Sequence, residues 1–167
     1  FITSLKKKLV VKAGPFNGLK YPDSISFGSS LYPKLIGSYE IELEKFILDF
    51  IEKKYNNIYI IGCAEGYYCN GLGIKSSNSN IYCYDISGDA VKTCNIMCKI
   101  NNLENSVVSV NEKFDLSSFK PSIRGKTLII CDIEGAEASL FKEHELKKLK
   151  NVDLLIEVHD FQNVGLT

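Results

Sequence analysis

The sequence predicts an α/β fold of three layers, a mainly parallel sheet with helices on both faces. Three observations predict it. Five short runs rich in β-branched and aromatic residues, at 58–61, 81–84, 107–110, 128–131 and 154–158, alternate with helical or turn segments. An amphipathic stretch, "SYEIELEKFILDFIEKK", precedes the first run, and a glycine-rich turn, "GCAEG", follows it and leads into a helix. Strands that alternate with helices pair in parallel, because each crossover returns the chain to the same edge.

Residues 1–37 read as an irregular lead-in with one short strand, since Gly, Pro, Ser and aromatic residues break any sustained period. Residues 38–167 form the single folded domain. Its first helix is predicted over 38–54, where Tyr39, Leu43, Phe46, Ile47, Phe50 and Ile51 recur at three and four. Ser38 is the predicted N-cap, Glu40 and Glu42 fall in the positive first turn, and Lys53 and Lys54 in the negative last turn. A short helix is predicted at 67–75. In "SGDAVKTCNIMCKINN" a longer one places Ala90, Val91, Cys94, Met97 and Cys98 on one side. The crossover "EKFDLSSFKPSIRGK" is broken by Pro121, and 136–149 reads as helical again.

Composition bounds the function. The chain has 167 residues, 45% hydrophobic, with no net formal charge, which suits one well-packed core. It opens on Phe1 and stops at Thr167 soon after a buried strand, as a piece of a longer protein would. No apolar run approaches the ~20 residues of a membrane helix, and "FITSLKKKLVVK" lacks the pattern of a signal peptide, so a soluble cytoplasmic protein is expected. Twenty basic residues balance twenty acids with no basic stripe, so neither nucleic acid nor membrane is an expected partner. Cys63, Cys69, Cys83, Cys94, Cys98 and Cys131 include no CxxC pair and no Cys/His motif, and are expected as buried free thiols.

The glycine turn selects among nucleotides. A dinucleotide fingerprint needs GxGxxG, and here Gly62, Ala64 and Tyr67 fill the three places, so two glycines are missing. A triphosphate loop needs a Gly-Lys-Ser/Thr ending, which is absent. The turn does match the GxGxG of S-adenosylmethionine (SAM) sites, with Ala64 in the middle. Small residues there let the ligand approach the backbone, and the following helix offers free amides to a carboxylate. Asp85 ends the second strand nineteen residues after Gly66, placed to accept hydrogen bonds from both ribose hydroxyls. NAD sites use an acid in the same way, so Asp85 alone does not separate the two cofactors.

"GSYE" at 37–40, "GCAEGYY" at 62–68, "YDIS" at 84–87, "CDIEGAE" at 131–137 and "IEVHDF" at 156–161 together resemble the class I SAM-dependent methyltransferases, most closely the FkbM-type group. The resemblance implies a Rossmann-like sandwich with strand order 3-2-1-4-5 and an added N-terminal helix. It implies that Gly62, Cys63, Ala64, Glu65 and Gly66 line the methionine part of SAM, that Asp85 and Ile86 bracket ribose and adenine, and that Glu112 lies near the adenine. Many class I enzymes carry an acid two residues before the first glycine. Ile60 stands there, so the SAM amino group needs Glu65, Glu40 or Asp132 instead. The usual fold of the family continues with a helix and an antiparallel strand pair, which are expected either to be missing from this sequence or to be lacking in a minimal variant.

In open parallel sheets ligands sit beyond the carboxyl ends of the strands, where Asp132, Glu134, Glu157, His159 and Asp160 would gather. Methyl transfer to a hydroxyl requires alignment and removal of one proton. His159 is the predicted base, with Asp132 or Glu134 orienting it or the acceptor; a structural histidine is the plainer alternative. Acids beside a histidine also suit a divalent cation, but no spacing here singles out a metal site and none is assigned. His144 lies on a charged helix face, and Glu134 and Glu137 also suit the first turn of a helix. The expected activity is O-methylation of a sugar, glycan or small metabolite. The alternatives are a nucleotide-linked oxidoreductase with an atypical fingerprint and a catalytically silent SAM-binding domain.

Overall fold

The computed structural model describes residues 9–22, 26–121 and 125–159. In the lead-in, β1 (Leu9–Val10) pairs antiparallel with β2 (Lys20–Tyr21), and α1 spans Leu31–Ile36. A 3-10 turn at Ile41–Leu43 runs into α2 (Glu44–Lys53). There follow β3 (Asn57–Ile61), α3 (Tyr67–Lys75), β4 (Asn80–Tyr84), α4 (Gly88–Ile100), β5 (Val107–Val110) and β6 (Thr127–Cys131). The single turns α5 (Glu137–Leu140) and α6 (Glu143–Leu146), a 3-10 turn at Lys147–Leu149, and β7 (Val152–Ile156) complete the described chain. No helix among the described residues is long and apolar enough to cross a membrane.

Strands β3 to β7 form one parallel sheet in the order β5-β4-β3-β6-β7, the expected arrangement. Alternation along the strands builds two cores. Ile58, Ile60, Ile81, Cys83, Leu128 and Ile130 pack with α2, α3 and α4, while Ile61, Ile129 and Cys131 face Phe114, Leu116, Phe119 and Leu140. The crossover between β5 and β6 contains no helix among its described residues, and Phe114, Leu116 and Phe119 cover the sheet in place of one. Strand order reverses between β3 and β6, so their carboxyl ends open the crevice where such sheets bind ligands.

The lead-in belongs to the first of these cores. Val11, Phe16, Leu19 and Tyr21 are all at most 3% exposed and share a cluster with the sheet residues. The Phe16 ring rests on Gly71 of α3, where a Cβ would lie 2.5 Å from its Cγ. Aromatic and glycine content, which removes any period from the sequence of residues 1–37, here serves close packing.

Three boundaries differ from expectation. The helix expected from residue 38 begins at Glu44, because the amides of Ser38 and Tyr39 close the end of α1 on the Pro33 carbonyl, and Glu40 turns left-handed at φ 47°. Ser38 therefore caps nothing, and the first predicted turn becomes cavity wall. The segment 136–149 breaks at Phe141 (ψ 61°), which lets both Leu140 and Leu149 reach the sheet. Strand β7 starts two residues early, because Val152 pairs with Thr127, which leaves Glu157 and His159 past the strand end. Asp160 lies outside the described residues.

Candidate active site

The glycine turn is shaped by contacts behind it. Gly62 has φ 82°, and a Cβ there would sit 1.6 Å from the Asp132 carbonyl oxygen, so only glycine lets the ends of β3 and β6 approach. Ala64 is left-handed at φ 47°, and its amide donates to Asp85 Oδ2 at 2.9 Å. Asp85 Oδ1 accepts from the Ser87 amide at 2.8 Å, so this one carboxylate ties the turn to the loop after β4. Gly66 (φ 98°) faces inward: a Cβ would meet Asn70 Nδ2 at 2.5 Å and Cys94 Sγ at 2.6 Å. The small residue at 66 thus serves the packing of α3 on α4 and lines neither cavity, which corrects its expected place beside the cofactor.

Two cavities flank this turn and meet at Gly62, Asp85, Asp132 and Glu134. The first, of about 400 Å³, is bounded by Cys63, Ala64, Tyr39, Glu40, Tyr68 and Glu157. The second, of about 330 Å³, is bounded by Ile86, Glu112, Phe114, Ile133 and Leu140. Both lie in the size range of small-molecule pockets. Ile86 is 80% exposed, an apolar side chain left at the rim of the second cavity.

Glu65 is not at either cavity. It is fully buried, pairs with Lys34 Nζ at 2.5 Å, and accepts from Tyr21 Oη, Ser26 Oγ and the Phe27 amide at 3.0–3.1 Å. The expectation that it contacts the cofactor is therefore corrected, since its oxygens fasten the lead-in to the turn. Glu40 does reach the first cavity, with the Tyr68 hydroxyl donating to it. Tyr68, Tyr39 and the 27–29 loop also line it, and the sequence assigns none of them to the site, reading Tyr39 as part of a helical apolar face.

At the ends of β6 and β7 four carboxylates ring His159. Its Nδ1 lies 2.9 Å from Glu137 Oε1, and its Nε2 lies 3.6 Å from Glu134, 3.7 Å from Glu157 and 3.9 Å from Asp132. Burial works to lower the His159 pKa, but the Glu137 contact and then the charges of Glu137, Glu157 and Asp132 carry it above the ordinary value. Glu137 is 2% exposed; burial pushes its carboxyl up, while the amides of Glu137 and Gly135 and the imidazole more than reverse this. Asp132 is raised by burial and then by Glu134, and Glu157 by burial and then by Asp132 and Glu40.

Asp132, Glu134 and Glu157 line the first cavity, whereas His159 sits beneath them, 8% exposed. Asp132 Oδ1 is buried without a hydrogen-bond partner among the described residues. Ligand atoms of Asp132, Glu134 and His159 lie within 4.8 Å of one another, a spacing that could hold a hard cation, but such an ion would have to displace the proton the surrounding acids favour on His159. His144 is on the surface against Glu145, away from this site.

No protein-family model matches the sequence, and no curated protein matches it. Solved structures do share its architecture. Coclaurine N-methyltransferase, bound to N-methylheliamine and SAH, superposes at TM-score 0.53 and 14% identity over 80% of this chain and 40% of its own. A protein of Klebsiella pneumoniae, provisionally described as an O-methyltransferase, does so at 0.55 and 13% over 77% and 60%. The chain thus spans less than two thirds of either, and what it shares with them is the α/β fold of class I methyltransferases.

Proposed function

We propose that the chain binds SAM across the two cavities and methylates a hydroxyl of a sugar, glycan or small metabolite, as an FkbM-type enzyme of the cytoplasm. The observation that carries this reading is the hydrogen bond from the Ala64 amide to Asp85, which sets a GxAxG turn and a strand-end acid at the junction of the cavities. In this reading the methionine end lies against Gly62, Cys63 and Ala64, with its ammonium on Glu40 or Asp132. Ribose meets Asp85, and adenine lies between Ile86 and Phe114 with Glu112 at the rim.

SAM supplies an electrophilic methyl group, and the chain must align the acceptor and take its proton. Asp132 suits the proton transfer, since its raised pKa makes it a stronger base than an ordinary carboxylate and Oδ1 has no competing partner among the described residues. His159, 3.9 Å behind, acts through it as the compensating charge. The acceptor wall carries Glu40, Glu42, Asp132, Glu134 and Glu157, and its one lysine among the described residues, Lys34, is neutralised by Glu65. That wall favours a neutral or cationic acceptor and disfavours nucleic acid.

Calorimetric titration with SAM, SAH and NAD in parallel tests the reading. SAM and SAH are expected to bind one per chain with NAD silent, and NAD binding without a SAM response would overturn it.

A further inference from the structure

Directly beneath the glycine turn lies a cluster of thiols of which only Cys63 also lines the first cavity. Cys63 from the turn, Cys69 from α3, Cys83 from β4 and Cys94 from α4 are 5%, 0%, 0% and 0% exposed. The sulfurs of Cys63, Cys69 and Cys94 all lie within 4.8 Å of one another. Cys83 of β4 is packed in the same core cluster, so four elements bury a thiol beneath the turn. No sequence motif announces this, because the spacings of 6, 14 and 11 residues (63 to 69, 69 to 83, 83 to 94) match no metal-binding pattern.

Cysteine is also a small apolar filler, and four of them could pack as such. Polar groups aimed at Cys94 argue otherwise. Ser109 Oγ lies 3.2 Å from Cys94 Sγ and Asn70 Nδ2 lies 3.7 Å from it. Asn70 is fully buried, and its Oδ1 has no partner among the described residues although its amide nitrogen faces the cluster. Donors converging on a sulfur are what the outer shell of a thiolate ligand provides.

We propose that Cys63, Cys69 and Cys94, with Cys83 as the fourth ligand, form a closed site for a thiophilic d10 cation of the zinc class. Metal–sulfur bonds of ~2.3 Å require sulfurs about 4 Å apart, which small side-chain rotations reach from the observed spacing. Binding breaks the S–H bonds and forms metal–sulfur bonds without any change of oxidation state; each thiol that ligates releases one proton. Three thiolates leave a charge of −1 around a divalent ion and four leave −2, which the Ser109 and Asn70 donors face. Cys63 lines the first cavity and supplies the entry path. The ion would cross-link the turn to α3, β4 and α4, whether or not the chain transfers methyl groups.

The test titrates the full chain, purified anaerobically with a non-thiol reductant, with Cd2+ and then Zn2+. One Cd2+ per chain is expected, with the ultraviolet charge-transfer band of a cadmium–thiolate, proton release and a raised Tm. Cys69→Ser and Cys94→Ser are expected to weaken Cd2+ by at least about a hundredfold, beyond the 10–100-fold typical of outer-shell losses. Cys131→Ser, in the core on the other face of the sheet, should leave the band intact. Should the buried variants fail to fold, Cys63→Ser at the cavity wall carries the same expectation. A wild type without the band, or a band equally lost in Cys131→Ser, overturns the site.

Discussion

Lys34 and Glu65 form an ion pair in which neither side chain is more than 3% exposed, and the pair joins α1 to the glycine turn. Lys34→Met should destabilise the protein by about 3–5 kcal/mol, the scale for stranding a buried charge. Lys34→Met combined with Glu65→Gln should be more stable than Lys34→Met alone, because the second change removes that charge and keeps acceptors for Tyr21, Ser26 and Phe27. Urea denaturation of both variants checks this. Glu65→Gln alone should hold SAM affinity within a few fold, since Glu65 lines neither cavity.

Asp85 holds two backbone amides as well as facing the cavities. Asp85→Ala should therefore cost roughly 1–3 kcal/mol without ligand and weaken SAM by at least about tenfold, both from lost charge-assisted hydrogen bonds. Asp85→Asn keeps one acceptor oxygen and should fall between. Thermal melts and calorimetry separate the two losses, and an unchanged SAM Kd in Asp85→Ala would remove this residue from the site.

Gly66→Val should lower the Tm of the protein without ligand. The added side chain meets Asn70 and Cys94, in a conformation L residues rarely adopt. The change reads out as stability before it reads out as affinity: Gly66→Val with a wild-type melting curve would place the side chain in the cavity after all.

The Glu137–His159 pair should give stability a bounded pH window. Glu137 is depressed, so its contribution is complete above its ordinary value of 4.5 and fades as pH falls through the folded-state value. His159 is raised, so its contribution is complete below 6.5 and fades as pH rises through the folded-state value. Asp132 and Glu157, both raised, lose their contribution as pH rises from their ordinary values of 3.8 and 4.5 through the folded-state values, and Glu134 also faces the ring. The stability difference between wild type and Glu137→Gln should peak between these limits, read by urea denaturation across pH.

His159→Ala should leave SAM binding within a few fold and cut turnover by roughly a hundredfold, the scale of losing support for a general base. Single-turnover methylation of a hydroxyl acceptor reads this directly, and unchanged turnover would return His159 to a structural role.

The sheet was legible because its strands carry short apolar runs that a buried parallel sheet requires, and the turn because its spacing excludes the dinucleotide and triphosphate loops. The lead-in was not, since Phe16 on Gly71 and Tyr21 on Glu65 are contacts between distant residues without local period. Neighbourhood in sequence puts Glu65 and Gly66 beside the cofactor, but a left-handed Ala64 sends these two residues into the protein rather than toward the cavity. Four cysteines scattered over thirty-two residues carry no sign that they meet.

Asn101 closes α4 and exchanges two hydrogen bonds with Lys20, 81 residues earlier, at 3.0 and 2.9 Å. During synthesis the β1–β2 pair emerges well before the helix that anchors it has left the ribosome. At 5–20 residues per second that interval lasts roughly four to sixteen seconds. Until α4 is made the strand pair lacks this anchor, although Phe16 and Tyr21 can already meet Gly71 and Glu65. Contacts of such long sequence separation also form slowly once the chain is complete. Anchoring of the first segment on α4 is thus a late event, and a synonymous pause placed before residue 101 would lengthen the time in which the strand pair lacks that anchor.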